Sequence, residues 1–357
     1  MIREIQLSGD HYTMGWQHAR QVEALRPDIL AAMEHRLGLI AEIEIKTRPF
    51  LAELQNRWKT DAQPTLNMLK GMADGLALDW ERFFTYTVAT YLMDRAKHIP
   101  ADAQGCTTWA AAGRMTPPEA PILAKNRDYW PDHQQLQCLA FARPKSGYAY
   151  LYLTSAGSPG VFSSGMNEAG LVAADTHVVS LDVGPGLPRY AVMMEALEKY
   201  SSVEAALEYL INVTHSGNGN ILLLDASGDM AVIETGYTMT GIDRPVDGFL
   251  VSANHYVTPP MKQRWLPRGP EDVHGNSLAR YDRAVRALRE SIRKIDLNWA
   301  MQLMSSHGDS LAAICRHPDI GPRSVTIAST IYLPCQRQLY LANGLPCQTP
   351  YQLYSLD

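Results

Sequence analysis

Residues 102–111 read DAQGCTTWAA, and the meaning of Gly105-Cys106 inside that stretch decides how the chain folds. Upstream, "HYTMGWQHARQVEALRPDILAAMEHRLGLIAEI" (11–43) and "QPTLNMLKGMADGLAL" (63–78) return an apolar residue every three or four positions. That spacing predicts mainly helix over residues 1 to about 100. "KHIPADAQG" (97–105) then reads as an exposed connector. Downstream the period becomes two. "CTTWAAAG" (106–113) and "PILAKNRDY" (121–129) are strand-like, joined by "RMTPPEA", whose prolines suit a turn.

The alternation continues through "QCLAFARP", "GYAYLYLTS" and "GVFSSGMNEAGLVAADTHVV", the last a hairpin pattern turning at Asn167-Glu168-Ala169-Gly170. Two helices follow, "PRYAVMMEALEKY" and "SVEAALEYLINV", the second with Ser201 or Ser202 as N-cap. Strands return in "NILLLDASGDMAVIET" and "GFLVSANHY". A long helix covers "NSLARYDRAVRALRESIRKI", a shorter one "LNWAMQLMSS", and the chain closes with strands "SVTIASTIYLP" and "QLYLANG". Runs of strands, then helices, then strands indicate a layered α+β fold rather than alternating βαβ units.

Composition limits the rest. The 357 residues are 46% hydrophobic, enough for one large core or two ordinary ones, and 19% charged, too few for a disordered or coiled-coil chain. The net charge is −5 and there is no long basic block, so nothing electrostatic favours nucleic acid. No apolar run is long enough to span a bilayer, and "MIREIQLSGD" lacks a signal peptide's apolar stretch. A cytoplasmic protein without membrane partners is expected. The five cysteines, Cys106, Cys138, Cys315, Cys335 and Cys347, are odd in number and widely spaced, so no disulfide framework is expected. His307, Cys315 and His317 come closest to a metal cluster, but no fourth ligand stands near at a familiar spacing. Packing is the expected role there, and no metal.

Cys106 sits where the helical prefix meets the strands. A thiol's ordinary pKa of about 8.5 leaves it mostly protonated at neutral pH, so a nucleophilic Cys106 needs a base. A cut between Gly105 and Cys106 would supply one, since the new α-amine has a pKa of about 7.7–8.0. Nucleophile and base then belong to one residue. Glycine before the cut can take strained conformations that bring its carbonyl onto the thiol. The competing reading is a buried structural cysteine.

The ordered set "GDHYTMGWQHAR", "GCTTWA", "AKNRDYW", "GMNEAGLVAADTH", "GNGNILLLDASGDMAVIE", "SANHY", "NSLARYDR", "ICRHPD" and "ASTIYLP…LYLANGLPC" resembles one family along nearly the whole chain. That family is the peptidase C45 group of N-terminal-nucleophile amide hydrolases, which includes acyl-CoA:6-aminopenicillanic acid acyltransferase. The chain is similar at greater distance to choloylglycine hydrolases and penicillin V acylases. The resemblance implies a four-layer αββα sandwich with two antiparallel sheets. It also implies one structural domain made of residues 1–105 (α subunit) and 106–357 (β subunit).

It further implies Cys106 as the nucleophile, exposed by self-cleavage after Gly105, with Asp128 holding its α-amine by a charge-assisted hydrogen bond. Asn254 is implied as the side-chain donor to the oxyanion and His177 as a second oxyanion residue acting through its backbone N–H. Arg280 is implied to brace Asp128. Lys125 stands where the bile-salt enzymes carry arginine; it keeps positive charge by the thiolate without a planar fork, so bile-salt specificity does not transfer. Glu234 and Asn126 fall in matching motifs with no assigned chemistry, and His255 is expected to pack on the opposite face.

The expected activity is hydrolysis of a linear N-acyl amide of a small molecule through a Cys106 thioester, without a cofactor. The alternative is an acyltransferase that takes its acyl group from a thioester such as acyl-CoA, with coenzyme A thioester as co-substrate and an amine as acceptor. A reading from another class is an inactive binding protein on the same fold, against which the set Cys106, Asp128, Asn254 and Arg280 speaks. A metal hydrolase is a third reading, one that a chelator would dispose of. Beyond the substrate, the expected partners are the two fragments of one chain, with a homo-oligomer left open.

Overall fold

The protein is seen in a computed structural model that describes residues 2–98, 105–117, 120–266, 273–292, 294–308, 311–318 and 324–356. The chain opens with strand β1 (Arg3–Gly9) and helices α1 (His11–Gln21), α2 (Arg26–Ile40), α3 (Glu44–Asp61), α4 (Gln63–Leu76) and α5 (Trp80–Ala96). Six strands follow: β2 (Gly105–Ala111), β3 (Ile122–Tyr129), β4 (Gln137–Pro144), β5 (Tyr150–Ser155), β6 (Ser164–Asn167) and β7 (Val172–His177). Then come α6 (Arg189–Lys199), α7 (Val203–Asn212), β8 (Gly219–Leu224), β9 (Met230–Thr235), β10 (Thr240–Asp243) and β11 (Phe249–Ser252). The chain ends with α8 (Pro259–Lys262), α9 (Val273–Arg289), α10 (Leu297–Met304), β12 (Val325–Leu333), β13 (Gln338–Ala342) and β14 (Gln352–Ser355).

Side-chain caps start several helices where the sequence turns polar. Asp10 accepts from the Thr13 N–H at 2.8 Å, Asp79 from Arg82 at 2.9 Å, and Ser202, rather than Ser201, from Ala205 at 3.4 Å. The strands form an eight-stranded sheet, β1-β4-β5-β6-β7-β8-β9-β10, and a six-stranded sheet, β11-β2-β3-β12-β13-β14. Pairing is antiparallel except that β1 runs parallel to β4, with Arg3 opposite Cys138. This is the exception to the expected antiparallel sheets. It is also a strand inside a prefix whose helical spacing conceals it. Strands β10 and β14, four residues each, likewise carry no pattern long enough to read.

Alternation along the strands sorts the core into layers. Ala110 and Leu123 of the smaller sheet meet Leu139, Leu151 and Leu222 of the larger one. Their neighbours Trp109 and Ala124 point the other way, onto Ala284, Leu288 and Met304 of α9 and α10. The outer face of the larger sheet, with Tyr150, Tyr152 and Ile221, packs on Met33, Leu69, Phe83 and Val192 of α2, α4, α5 and α6. Helix, sheet, sheet, helix is the αββα order. The prefix therefore supplies part of the core and is no appendage.

One helix contact leaves no room at all. A Cβ on Gly15 of α1 would lie 2.0 Å from the Met68 carbonyl oxygen, and one on Gly71 of α4 would lie 2.1 Å from that of Tyr12. The two backbones touch through glycine. Gly71→Ala should therefore cost about 1–3 kcal/mol by overpacking, read as a lower urea midpoint; an unchanged midpoint would mean that α1 and α4 can part without loss.

Candidate active site

The hairpin of β2 and β3 sets Gly105 opposite Asp128 and Cys106 opposite Arg127. On its other side β2 pairs with β11, where Ser252 faces Thr108. The chain leaving β11 carries Asn254 to the Cys106 backbone, whose N–H donates to Asn254 Oδ1 at 2.9 Å. Helix α9 delivers Arg280, wholly buried. Its Nη1 donates to the Cys106 carbonyl at 2.5 Å and to Thr107 Oγ1 at 2.7 Å, and its Nη2 to Asn254 Oδ1 at 2.7 Å. Asn276, one turn earlier, accepts from Arg280 Nε at 2.8 Å and fixes the fork.

This differs from the expectation for Arg280. The guanidinium braces Cys106 and Asn254 by hydrogen bonds and reaches Asp128 only through the field. Burial lowers its pKa to about 10, and Arg316 repels it further while Asp128 and Cys106 oppose the fall. It stays charged at neutral pH.

The groups that do hold Asp128 are Thr326, whose Oγ1 donates to Oδ1 at 2.6 Å, and Arg316, whose Nη1 stands 3.9 Å from Oδ2. Neither stands out in the sequence, although Arg316 lies in "ICRHPD". Asp128 is fully buried and its Oδ2 accepts no hydrogen bond. Burial raises its pKa against the pull of Arg316, Arg280 and the Thr326 hydroxyl.

The Arg316–Asp128 pair also crowds Gly105. A Cβ there would lie 2.2 Å from Arg316 Nη1 and 3.2 Å from Asp128 Oδ2. Gly105 sits in a strand and is not among the glycines of positive φ. Its need is space for the guanidinium, not the strained backbone expected.

Asn254 Nδ2, the expected oxyanion donor, donates to the His177 carbonyl at 2.8 Å. The His177 ring bonds Asp94 Oδ2 at 2.9 Å, which Asn218 also reaches at 2.7 Å. His255 is buried with its Nδ1 2.8 Å from Ser277 Oγ, and that hydroxyl also accepts the Asn254 N–H at 2.8 Å. Glu234 receives Val257 and Thr258 N–H groups at 2.5 and 3.1 Å, holding the loop after Asn254. Asn126 ties β3 to the Met304 and Ile314 carbonyls, both at 2.9 Å.

Lys125 Nζ donates to Asp175 Oδ1 at 2.7 Å and to the Ser163 carbonyl at 3.0 Å, while Arg189 Nε reaches Asp175 Oδ2 at 3.0 Å. Burial would raise the Asp175 carboxyl, but Lys125 and Arg189 overcome it and the net shift is downward. These groups line a cavity of about 50 Å³ beside Cys106, with Arg127, Asp128, His177 and Tyr190. Burial pushes the Cys106 thiol up; Lys125 opposes this and the Asp128 and Asp175 charges add to it. In the continuous chain the sulfur is a protonated thiol. Asp175 and Arg189 escape a reading of the sequence because one aspartate in a strand and one arginine opening a helix carry no spacing signal.

The family described as acyl-coenzyme A:6-aminopenicillanic acid acyl-transferase matches residues 115–347. The chain belongs to that family. The matched span of this acyl-transferase family member holds Asp128, Asn254, Arg280 and Arg316 and begins after Cys106.

Among solved structures, the chain is similar to a mutant of conjugated bile acid hydrolase from Clostridium perfringens. Identity is 14%, coverage 71% of this chain and 97% of that one, and the TM-score 0.45. It is also similar to penicillin V acylase from Agrobacterium tumefaciens, at 18% identity, 70% and 86% coverage and a TM-score of 0.43. Among curated proteins none matches the sequence. Among the described residues no helix is long and apolar enough to cross a membrane.

Arg280→Met keeps bulk but strips the Cys106 carbonyl and Thr107 of this donor and leaves Asn254 Oδ1 with the Cys106 N–H alone. Buried acceptors left unmet cost about 1–3 kcal/mol each. The variant should lose at least about 2 kcal/mol in urea unfolding, and wild-type stability would mean that water replaces the guanidinium.

Proposed function

We propose that this acyl-transferase family member is a self-processing cysteine enzyme that cleaves a small-molecule N-acyl amide. The carrying observation is the grip on the Gly105–Cys106 peptide: its N–H rests on Asn254, and the Oδ2 of Asp128, which accepts no hydrogen bond and has Arg316 only at ion-pair range, lies beside Gly105. A buried carboxylate oxygen without a donor is costly and calls for a use. A free α-amine at Cys106 would supply the donor.

Processing then runs as an acyl shift. Cys106 Sγ attacks the Gly105 carbonyl carbon, the C–N bond breaks, and the thiol proton ends on the departing nitrogen, now the α-amine. Water cleaves the Gly105 thioester, leaving the Gly105 carboxylate and a free thiol. In turnover the amine takes the thiol proton, and the thiolate attacks the substrate's acyl carbon. The leaving amine departs with that proton, and water splits the acyl-enzyme. Asn254 Nδ2 is the proposed oxyanion donor, exchanging the His177 carbonyl for the developing charge. The His177 backbone N–H is the second. Lys125 favours the thiolate from across the cavity. Residues 1–105 and 106–357 stay together as two subunits, since both contribute to the core under the larger sheet.

The family's description favours a second reading on the same residues. There an acyl thioester acylates Cys106 and an amine takes the acyl group in place of water, with coenzyme A leaving as its thiol.

Denaturing mass spectrometry tests the processing. Purified protein should give two fragments meeting at Gly105/Cys106, and Cys106→Ala should stay whole. Active protein with that bond intact would refute the mechanism, and processed protein inert on both amides and thioesters would favour a binding role.

The oxyanion assignment is tested by Asn254→Ala. The variant should process slowly, having lost the acceptor for the Cys106 N–H. Its processed fraction should lose about 10²–10³ in kcat with KM little changed. Near wild-type kcat would leave the oxyanion to backbone donors alone.

A further inference from the structure

Beyond the thiol site, the fold assembles a second cluster from three chain segments. His307 follows α10, Cys315 and His317 flank Arg316, and Cys347 follows β13. We propose that these four residues bind one zinc ion in a closed structural site. Their ligand atoms all lie within 4.8 Å of one another. His307 Nε2 is 3.1 Å from His317 Nε2, Cys315 Sγ is 3.6 Å from Cys347 Sγ, and His317 Nε2 is 3.2 Å from Cys347 Sγ and 3.8 Å from Cys315 Sγ.

Four of the six separations lie near the edges of a coordination tetrahedron, and the two from His307 to the sulfurs lie within 4.8 Å. With Zn–N of about 2.0–2.1 Å and Zn–S of about 2.3 Å, the edges come to about 3.3 Å for N–N, 3.6 Å for N–S and 3.8 Å for S–S. The sulfurs are too far apart for a disulfide, whose S–S length is about 2.05 Å. Hydrogen bonding does not account for the convergence. His317 Nε2 meets one nitrogen and two sulfurs, yet a ring nitrogen carries at most one proton or one lone pair. A cation at their common centre satisfies all four atoms at once.

The donor set selects the ion. Two thiolates and two imidazoles form a borderline-soft, four-coordinate set of the kind that holds structural zinc. Binding releases the two thiol protons, and the two negative sulfurs neutralise the ion's charge. The scaffold is braced independently of the ligands. Ile314 and Cys315 donate to the Ser306 carbonyl at 3.2 and 3.0 Å, and Ser305 Oγ donates to the Pro346 carbonyl at 3.0 Å. His307 is exposed and His317 and Cys347 are half-buried, so an ion can enter from solvent. Cys347 is the fourth ligand that local spacing could not reveal, because the fold and not the sequence brings it close.

The ion would act on the thiol site by position. Two of its ligands bracket Arg316, whose guanidinium fills the space beside Gly105 and faces Asp128. Pinning Cys315 and His317 fixes that guanidinium from both sides. Zinc content does not depend on processing, so it stands or falls apart from the proposed activity.

The experiment is elemental analysis of full-length protein produced in zinc-supplemented medium under reducing conditions and desalted. About one zinc per chain is expected in wild type and in Cys106→Ala, and far less in Cys347→Ala and His307→Ala. Cobalt(II)-exchanged wild type should show thiolate-to-cobalt charge transfer and tetrahedral ligand-field bands. Chelation should lower Tm, and added zinc should restore it. Should a variant fail to fold, the wild-type stoichiometry and cobalt spectrum decide alone. Wild type without zinc or a cobalt spectrum would overturn the site, as would undiminished zinc in folded Cys347→Ala. A Cys315–Cys347 disulfide that persists under reducing preparation would overturn it too.

Discussion

The backbone of Cys106 is gripped at both of its polar groups, the N–H by Asn254 and the carbonyl by Arg280, and Arg280 in turn holds Asn254. This closed triangle joins a strand, the loop leaving its neighbour and a helix on the outer layer. The sheet order puts β11 and β3 on either side of β2, and α9 packs over that sheet. Moving any of the three would break two hydrogen bonds that water cannot readily replace, because the residues are buried. The thiol's surroundings follow from this grip.

Charge is concentrated around it at considerable cost. Asp128, Arg280, Arg316, Lys125, Arg127 and Arg189 are all buried, and taking such groups out of water is expensive unless each meets partners. Asp175 offsets two of them by accepting Lys125 and Arg189 on separate oxygens. Arg127 spreads its donors over Gln137, Ser155 and the Thr154 carbonyl. Asp128 is the member left short, with one oxygen bonded to Thr326 and the other accepting no hydrogen bond. Such an arrangement is poor for stability alone and good for receiving a cation.

Much of this is legible in the sequence, for physical reasons. Two strands of period two with a proline turn between them can hardly avoid pairing, and that pairing sets Gly105-Cys106 against Asp128 and Arg127. The layered order can be read because the helical and alternating runs are long. Arg280 is legible as a residue but not as a contact, since a helical arginine's direction depends on what the helix packs against. Arg316 holds Asp128 from a segment with no periodicity before β12, and Thr326 holds it from the first residues of β12, where the strand pattern says nothing of a hydroxyl's partner. The purpose of Gly105 is hidden: its place before a thiol suggests backbone freedom, whereas the guanidinium of a residue far along the chain takes the room. Parallel pairing of β1 is invisible because its partner, β4, lies beyond the whole helical prefix.

Strand β2 lies in the interior of its sheet. On one side Cys106 is in register with Arg127 of β3; on the other, β11 is paired up to Ser252, and beyond it the Asn254 side chain stands in for a strand. Chain ends are ordinarily the loosest part of a domain. One that began at Cys106 would instead be anchored laterally from its first atom, its backbone entropy of about 1–2 kcal/mol per residue surrendered when the whole chain folded. A ligand arriving in the adjoining cavity would find that residue's backbone already in place, and none of its binding energy would go to ordering it.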